Sequence, residues 1–352
     1  MADPALEARV RACLQRDDDY KAPGKPRCDW DDVEAREKVI DELARDAEAV
    51  LSCLEGQTLE AEVEQAAQLI AAVVGQDLER GAEGRFCIAR RVAADRIISV
   101  VDPEARHGHK TAARGFDGYK GHVSVDPDSE FIVATQVTAG NVADGNAAVD
   151  LLAEVLEPTN RVESSEPIEI YGDSAYGTAE LIEHIEGAGA EANVKVQGPS
   201  GRQGMFSKDD FEIDPQAGMV RCPAGALVQI RVGKDGGGVA FFGAHCPTCP
   251  LRSQCTEAKG GRTIQIHPHE RTLQRMRDTQ KDPKWKERYR STRPKVERKQ
   301  AHLMFRRHGG RRSRVRGTER IGQDFALLGA GINLKRLAVL GLHWNGTRWS
   351  VA

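Results

Sequence analysis

The sequence lacks any apolar run near the ~18 residues of a membrane-spanning helix. It also lacks the basic and then apolar N-terminal pattern of a signal peptide. Neither membrane insertion nor export is therefore supported, and we expect a cytoplasmic protein. Cysteine is sparse as well, because eight cysteines in 352 residues are too few for a disulfide scaffold. Hydrophobic residues make up 40% of the chain, which is enough for a folded core.

The charge is distributed unevenly along the chain. The formal net charge is only -3, but residues 252–320 hold 22 Lys and Arg against 7 Asp and Glu, whereas residues 1–251 hold 25 against 45. Clustered basic side chains bind polyanions by releasing phosphate counterions, so the last third is a candidate nucleic-acid surface. Solvated helix faces are the alternative explanation.

Helical periodicity dominates the N-terminal part. Little fixed structure is expected before Asp31. Apolar spacing then predicts helices over Asp32–Glu55 and Thr58–Arg80, forming a hairpin closed at Gly56.

A different pattern begins near Arg96. Strands are predicted at Arg96–Asp102, Gly118–Asp126, Phe131–Gly140, Pro167–Asp173 and Asn193–Gln197, with helices at Asn141–Leu156 and Thr178–Gly187. Asn141 is a candidate helix cap. This order describes an α/β fold with a mixed sheet flanked by helices. Helical character returns over Glu270–Arg307 and in the apolar segment Asp324–Leu342.

A Gly-rich, strand-like insertion with four cysteines separates these parts. Cys246 and Cys249 have the C-x₂-C spacing of a zinc ligand pair, and Cys222 and Cys255 could complete a four-sulfur zinc ribbon. His245 is a substitute ligand. Unligated thiols and disulfides remain open as alternatives.

Two carboxylates end predicted strands. Asp102 ends the first strand and Asp173 the fourth, and such strands can lie side by side, ~4.8 Å apart. Carboxylates this close repel unless a divalent cation lies between them. Glu297, in a basic helical segment, is the third candidate acid. The alternatives are that Asp173 caps the following helix and that Asp102, before Pro103, is a turn residue.

Three motifs in this order resemble the DDE transposases of bacterial insertion sequences, whose catalytic domain has an RNase H-like fold. They are DRIISVVDPEARHGHK (95–110) with GYKGHVSVD (118–126), GDSAYG (172–177), and RPKVERKQAHL (293–303) with HGGRRSRVRG (308–317). The resemblance implies that Asp102, Asp173 and Glu297 hold two Mg²⁺ or Mn²⁺ ions for DNA cleavage and strand transfer.

The implied partners are element ends and target DNA, bound by a homodimer. Candidate DNA-binding residues are Lys120, Arg293, Arg298, Arg306, Arg307, Arg311 and Arg312. Arg293 lies one helical turn before Glu297, so it either contacts a phosphate or forms an ion pair with Glu297. Lys120 faces either the site or bulk water.

The expected domains follow from these patterns. They are a helical region (1–94), the first part of the catalytic domain (95–198), the Cys-rich insertion (199–268), a basic helical part completing the catalytic domain (269–345) and a tail (346–352). Relative to the family the chain looks N-terminally truncated. A catalytically silent or repurposed DNA-binding relic is therefore the alternative function.

Overall fold

The computed structural model describes residues 4–22, 24–81, 84–90, 93, 95–111, 113–157, 167–199, 201, 204–305 and 308–351. The chain divides into two compact units. The first comprises Met1–Lys120, Ala139–Asn141 and Val315–Arg320, and the second comprises Gly121–Thr138, Val142–Arg314 and Ile321–Ala352.

The first unit begins with helices α1 (Pro4–Cys13), α2 (Val33–Leu54) and α3 (Ala61–Asp77). Helices α2 and α3 confirm the expected pair, with Gly56 at φ +72° in the turn after α2. The expectation of little fixed structure before Asp31 is wrong. Buried Asp46 on α2 accepts hydrogen bonds from the Tyr20 hydroxyl at 2.7 Å and from Gln15 N at 2.7 Å, and these contacts fix the preceding segment.

The strands up to Ala139 differ from the prediction at one point. Strands β1 (Leu78–Arg80) and β2 (Phe86–Ile88) pair antiparallel, and β3 (Arg106–Thr111), β4 (Arg114–Val125) and β5 (Ile132–Ala139) form a sheet in that order. The predicted strand Arg96–Asp102 is wrong, because this segment has no regular structure. Its backbone bonds elsewhere: Ile97 N donates to the side chain of Gln76 at 2.8 Å, and Pro103 cannot donate to a strand ladder.

The second unit contains the crossover expected before the Cys-rich stretch. Helix α4 (Asp144–Leu156) is followed by β6 (Glu169–Gly172), α5 (Ala179–Gly187) and β7 (Glu191–Val194), and β6 pairs parallel with β7. The N-cap of α4 is Ala143, so the prediction of Asn141 was wrong. Buried apolar residues of α4, α5 and β7 form one core, including Leu152, Ile182, Ile185 and Val194.

The Cys-rich stretch is strand-like, as predicted. It holds β8 (Glu212–Asp214), β9 (Met219–Arg221), β10 (Leu227–Gln229), β11 (Arg231–Val232), β12 (Gly238–Phe241) and β13 (Thr263–Ile266). They form two three-stranded sheets, ordered β10-β9-β8 and β11-β12-β13. Phe211, Val220, Ala240, Phe242 and Ile264 fill a core of their own.

The C-terminal part is helical. Helices α6 (Glu270–Thr279) and α7 (Pro283–Leu303) replace the single predicted helical stretch, because Asp282 caps α7 by accepting from Lys284 N at 3.1 Å. Helix α8 (Thr318–Val339) and the hairpin β14 (His343–Trp344) and β15 (Trp349–Ser350) follow. In the described part of the chain, no helix is long and apolar enough to cross a membrane. The architecture is thus mixed α/β with several small sheets; an RNase H-like arrangement stays a prediction.

Candidate active site

Asp173 directly follows β6, as the sequence predicts. Its Oδ1 accepts a hydrogen bond from Ala175 N at 2.8 Å, which closes a tight turn after the strand. The N-cap of α5 is Thr178, whose side chain accepts from Leu181 N. The alternative that Asp173 caps this helix is therefore wrong. The second carboxylate oxygen of Asp173, Oδ2, faces Arg293.

The glycine of this turn is required by a close approach of two backbone segments. A Cβ on Gly177 would lie 2.3 Å from the carbonyl oxygen of Lys195, just beyond the end of β7. Only glycine allows the turn after Asp173 to pack against the end of β7 at this distance. The GDSAYG motif thus fixes where the Asp173 carboxylate stands relative to β6 and β7.

Helix α7 carries Glu297 and is anchored to the same strands. The Tyr289 hydroxyl donates to the carbonyl of Gly172 at 3.1 Å, and Arg288 forms an ion pair with Glu169 at 3.0 Å. The Trp285 ring stacks on Tyr289 with a centroid distance of 4.8 Å. These contacts hold α7 against the end of β6, where Asp173 begins the turn.

Arg293 connects the two acids. Its Nε donates to Glu297 Oε1 at 2.7 Å, its Nη2 to Asp173 Oδ2 at 3.4 Å and its Nη1 to the Tyr289 hydroxyl at 2.9 Å. Burial disfavours the charged guanidinium, but the hydrogen bonds to Glu297 and Tyr289 outweigh this effect and raise the pKa of Arg293. The ion pair with Glu297 expected as one alternative for Arg293 is present.

These side chains line a cavity of about 210 Å³ within the second unit. Four carboxylates line it: Asp144 at the start of α4 and Glu169 in β6, together with Asp173 and Glu297. Sequence reasoning missed Asp144, although an acid at the first position of a helix next to a predicted site was a usable signal. It also missed Tyr176 and Tyr289, which line the cavity as well.

Tyr176 connects the cavity to a buried histidine. Its hydroxyl lies 3.0 Å from Nδ1 of His122, whose Nε2 lies 3.0 Å from Oγ1 of Thr138. Burial, followed by the negative charges of Asp144 and Asp173, raises the pKa of Tyr176. The tyrosine therefore stays protonated, and the tautomer of His122 decides whether the hydroxyl donates to Nδ1 or accepts from it.

Asp102 belongs to the first unit. Its Oδ1 accepts from the Tyr119 hydroxyl at 2.6 Å and from Gly317 N at 3.2 Å, and its carbonyl accepts from Ala105 N at 3.0 Å. Asp102 is thus a turn residue, as the alternative had it, instead of the last residue of a strand. Burial and Asp102 raise the pKa of Tyr119. The predicted convergence of Asp102 with Asp173 and Glu297 stays a prediction.

The candidate DNA-binding residues differ in their surroundings. Arg298 is exposed and forms an ion pair with Glu130 at 2.8 Å. Lys120 is half-buried in β4. Arg311 and Arg312 are exposed after α7, whereas Arg306 and Arg307 lie outside the described residues. The role of all these residues in DNA binding stays a prediction.

The carboxylates of the cavity are the candidate metal ligands. Among the described residues, no group of three or more His, Cys, Asp and Glu side chains is arranged as a metal site. The Asp173 and Glu297 carboxylates offer hard oxygen donors on one cavity, and the Arg293 cation now lies between them. Carboxylate oxygens are the donors that a hard divalent cation such as Mg²⁺ prefers.

Comparisons with known proteins agree with the motifs. Residues 221–338 match the model of the family described as Transposase DDE domain, and this match supports a DDE transposase. The matched range includes Glu297 and the four cysteines of the Cys-rich stretch, but neither Asp102 nor Asp173. No curated protein matches the chain, and no solved structure matches it.

Proposed function

We propose that this chain, whose residues 221–338 match a transposase DDE domain, cleaves DNA at the ends of an insertion sequence and joins the freed 3′ ends to target DNA. The observation that carries the proposal is the pairing of Asp173 and Glu297 on one cavity through a single arginine. Carboxylates brought to one cavity from different elements are the oxygen ligands that a metal-dependent phosphodiester site uses.

Asp102, Asp173 and Glu297 would hold the divalent cations. Two such ions, Mg²⁺ or Mn²⁺, supply activation of a water or a DNA 3′-hydroxyl and stabilisation of the leaving oxygen. The carboxylate oxygens of Asp173 and Glu297 are half-exposed and reachable from solvent.

The other side chains of the cavity bind and orient the DNA. Arg293 is fixed by Tyr289 and Glu297, and the N–H of Nη2 that is not directed at Asp173 would donate to a phosphodiester oxygen. Tyr176 lines the same cavity and stays protonated, so it would donate a hydrogen bond to the DNA without becoming a base.

The basic segment 252–320 supplies the binding surface for the DNA backbone. Its 22 Lys and Arg against 7 acids support contacts with many phosphates. Two protomers would each hold one end of the element. Substrate and partner are therefore DNA ends and target DNA.

The test compares the protein with its Asp173→Asn variant on DNA carrying the inverted repeats that flank its gene, with Mg²⁺ or Mn²⁺. Asparagine keeps the size and the turn-closing acceptor but removes the charge that a metal needs. Asp128→Asn is the matched control, because Asp128 is 95% exposed and outside the cavity.

We expect cleavage at the repeat ends by the protein and the control, and none by Asp173→Asn, with DNA affinity nearly unchanged in all three. Equal cleavage by Asp173→Asn would overturn the assignment of the site. DNA binding without cleavage by the unaltered protein would instead favour a DNA-binding relic.

A further inference from the structure

Four of the eight cysteines surround one pocket. Cys222, Cys246, Cys249 and Cys255 all line a cavity of about 230 Å³ in the Cys-rich stretch of the second unit. Cys246 and Cys255 are buried, and all four are free thiols. Three separate segments of the chain thus bring these cysteines to one cavity.

The backbone around these cysteines is built from two tight turns. In Cys-Pro-Ala-Gly (222–225), Gly225 N donates to the Cys222 carbonyl at 2.8 Å, and Gly225 has φ +86°. In Cys-Pro-Thr-Cys (246–249), Cys249 N donates to the Cys246 carbonyl at 3.3 Å. Each turn presents its first cysteine at a fixed position on the rim of the pocket.

A donor is also directed at one sulfur. Arg262 N lies 3.4 Å from Cys246 Sγ and donates to it. A backbone N–H directed at sulfur stabilises the thiolate form that a metal ligand must take. A short 3-10 helix, Arg252–Gln254, then brings Cys255 to the same cavity.

We propose that Cys222, Cys246, Cys249 and Cys255 bind one structural Zn²⁺ as a four-sulfur site. The C-x₂-C pair comes from one turn, and the other two ligands directly follow β9 and the 3-10 helix. Four protein ligands leave no open position, so this ion is structural and distinct from the cations of the DNA-cleaving site.

Zinc binding requires rotation of cysteine side chains. The described thiols are gathered around one pocket but are not arranged as a finished ligand set. A change of χ1 from one staggered rotamer to another moves the sulfur by about 2–3 Å and leaves the backbone in place. The two turns already place the backbone of these cysteines around the pocket, so only their side chains have to rotate.

The metal would stabilise a part of the chain that is built from short strands. Strands β8 to β13 have only two to four residues each, and they form two separate three-stranded sheets. Short strands around a small core are often stabilised by a bound metal. Zinc would join the turn after β9 to the segment between β12 and β13.

The test measures zinc in the full-length protein purified without chelator and its absorption spectrum after exchange with Co²⁺. We expect one zinc per chain and the intense visible absorption of tetrahedral cobalt with sulfur ligands. The Cys249→Ser variant should lose most of the metal, whereas Cys87→Ser, which alters a half-buried cysteine in β2, should keep it.

A cysteine variant could lose zinc only because it fails to fold, so a second measurement uses the unaltered protein. Titration of the unaltered protein with a mercurial reagent should release one zinc per chain by the time all eight thiols have reacted, read with a zinc-sensitive dye. Protein that is folded by circular dichroism yet holds no zinc, shows no cobalt absorption when Co²⁺ is added, or has these cysteines in disulfides would overturn the proposal. Equal zinc content in Cys249→Ser would also overturn it.

Discussion

Nε of Arg293 donates a hydrogen bond to Oε1 of Glu297 at 2.7 Å, one helical turn further along α7. The same guanidinium reaches Asp173, which comes from a different element. Two carboxylates that would repel each other are thus held on one cavity by a cation of the chain itself. Because the ion pair is exposed, substitution of Glu297 should change activity much more than stability.

Glu297→Gln should abolish DNA cleavage with little change in stability. An exposed ion pair at i, i+4 contributes only ~0.3–0.5 kcal/mol, and Glu297 is 58% exposed. The measurements are urea unfolding and cleavage of DNA with the inverted repeats. Glu287→Gln on the same helix, outside the cavity, is the control and should keep full activity. Cleavage by Glu297→Gln at the normal rate would remove Glu297 from the site.

Gly177→Ala should destabilise the protein and reduce cleavage together. The added methyl group would meet the Lys195 carbonyl oxygen at 2.3 Å, so the turn after Asp173 must move. Overpacking of this kind costs about 1–3 kcal/mol. Thermal unfolding and cleavage rate are measured in the same samples.

The control for this substitution is Gly187→Ala at the end of α5. A Cβ there has nothing within 4 Å, so stability should be unchanged or slightly higher. If Gly177→Ala were as stable and active as Gly187→Ala, the close approach would not position Asp173.

Local patterns predicted much of the fold. Apolar spacing located α2, α3, α4 and α5, and the β-branched run before Asp173 located β6. The pattern failed at Arg96–Asp102, where an apolar run looks like a strand but its backbone bonds to the Gln76 side chain. A hydrogen bond between residues 21 positions apart has no sequence signature.

The site was predictable only in part for the same reason. Asp173 and Glu297 could be named from motifs, and Arg293 from helical spacing. Asp144 and Tyr176 line the same cavity only because α4 and the turn after Asp173 meet there. Such contacts depend on tertiary packing, which neither spacing nor composition describes.

Glu130→Gln should destabilise the second unit. Glu130 pairs with Arg298 at 2.8 Å and with Lys299 at 3.3 Å, and the Lys299 side chain is only 6% exposed. Removing the acid leaves a buried ammonium without its counter-charge, which costs about 1–3 kcal/mol. Urea unfolding tests this, with Asp128→Asn as the control, because Asp128 is exposed and only weakly paired with Lys295. Equal midpoints for the two variants would contradict the role of Glu130.

The ion pairs of Glu130 with Arg298 and Lys299 also predict how stability depends on pH. Burial would raise the pKa of Glu130, but Arg298 and Lys299 outweigh this effect and lower it. A lowered folded-state pKa gives stability that is present above the unfolded value of ~4.3 and is lost as pH falls through the folded value. The difference in unfolding free energy between the protein and Glu130→Gln should thus be constant above about pH 5 and shrink below it. A difference that does not change down to pH 3 would contradict this assignment.

Replacement of Arg311 and Arg312 by glutamine should weaken DNA binding and reduce its salt dependence. Both side chains are exposed in the basic segment after α7, where they can reach phosphates. Each lost phosphate contact lowers the slope of log K against log salt by ~0.9, so the double variant should lose nearly two units.

The measurement is fluorescence anisotropy of a labelled repeat-end duplex from 50 to 300 mM salt. Lys234→Gln is the control, because Lys234 is exposed but lies outside the basic segment. Because the change removes charge without touching the acids, cleavage at saturating DNA should stay near normal. An unchanged slope in the double variant would mean that the DNA follows another part of the basic surface.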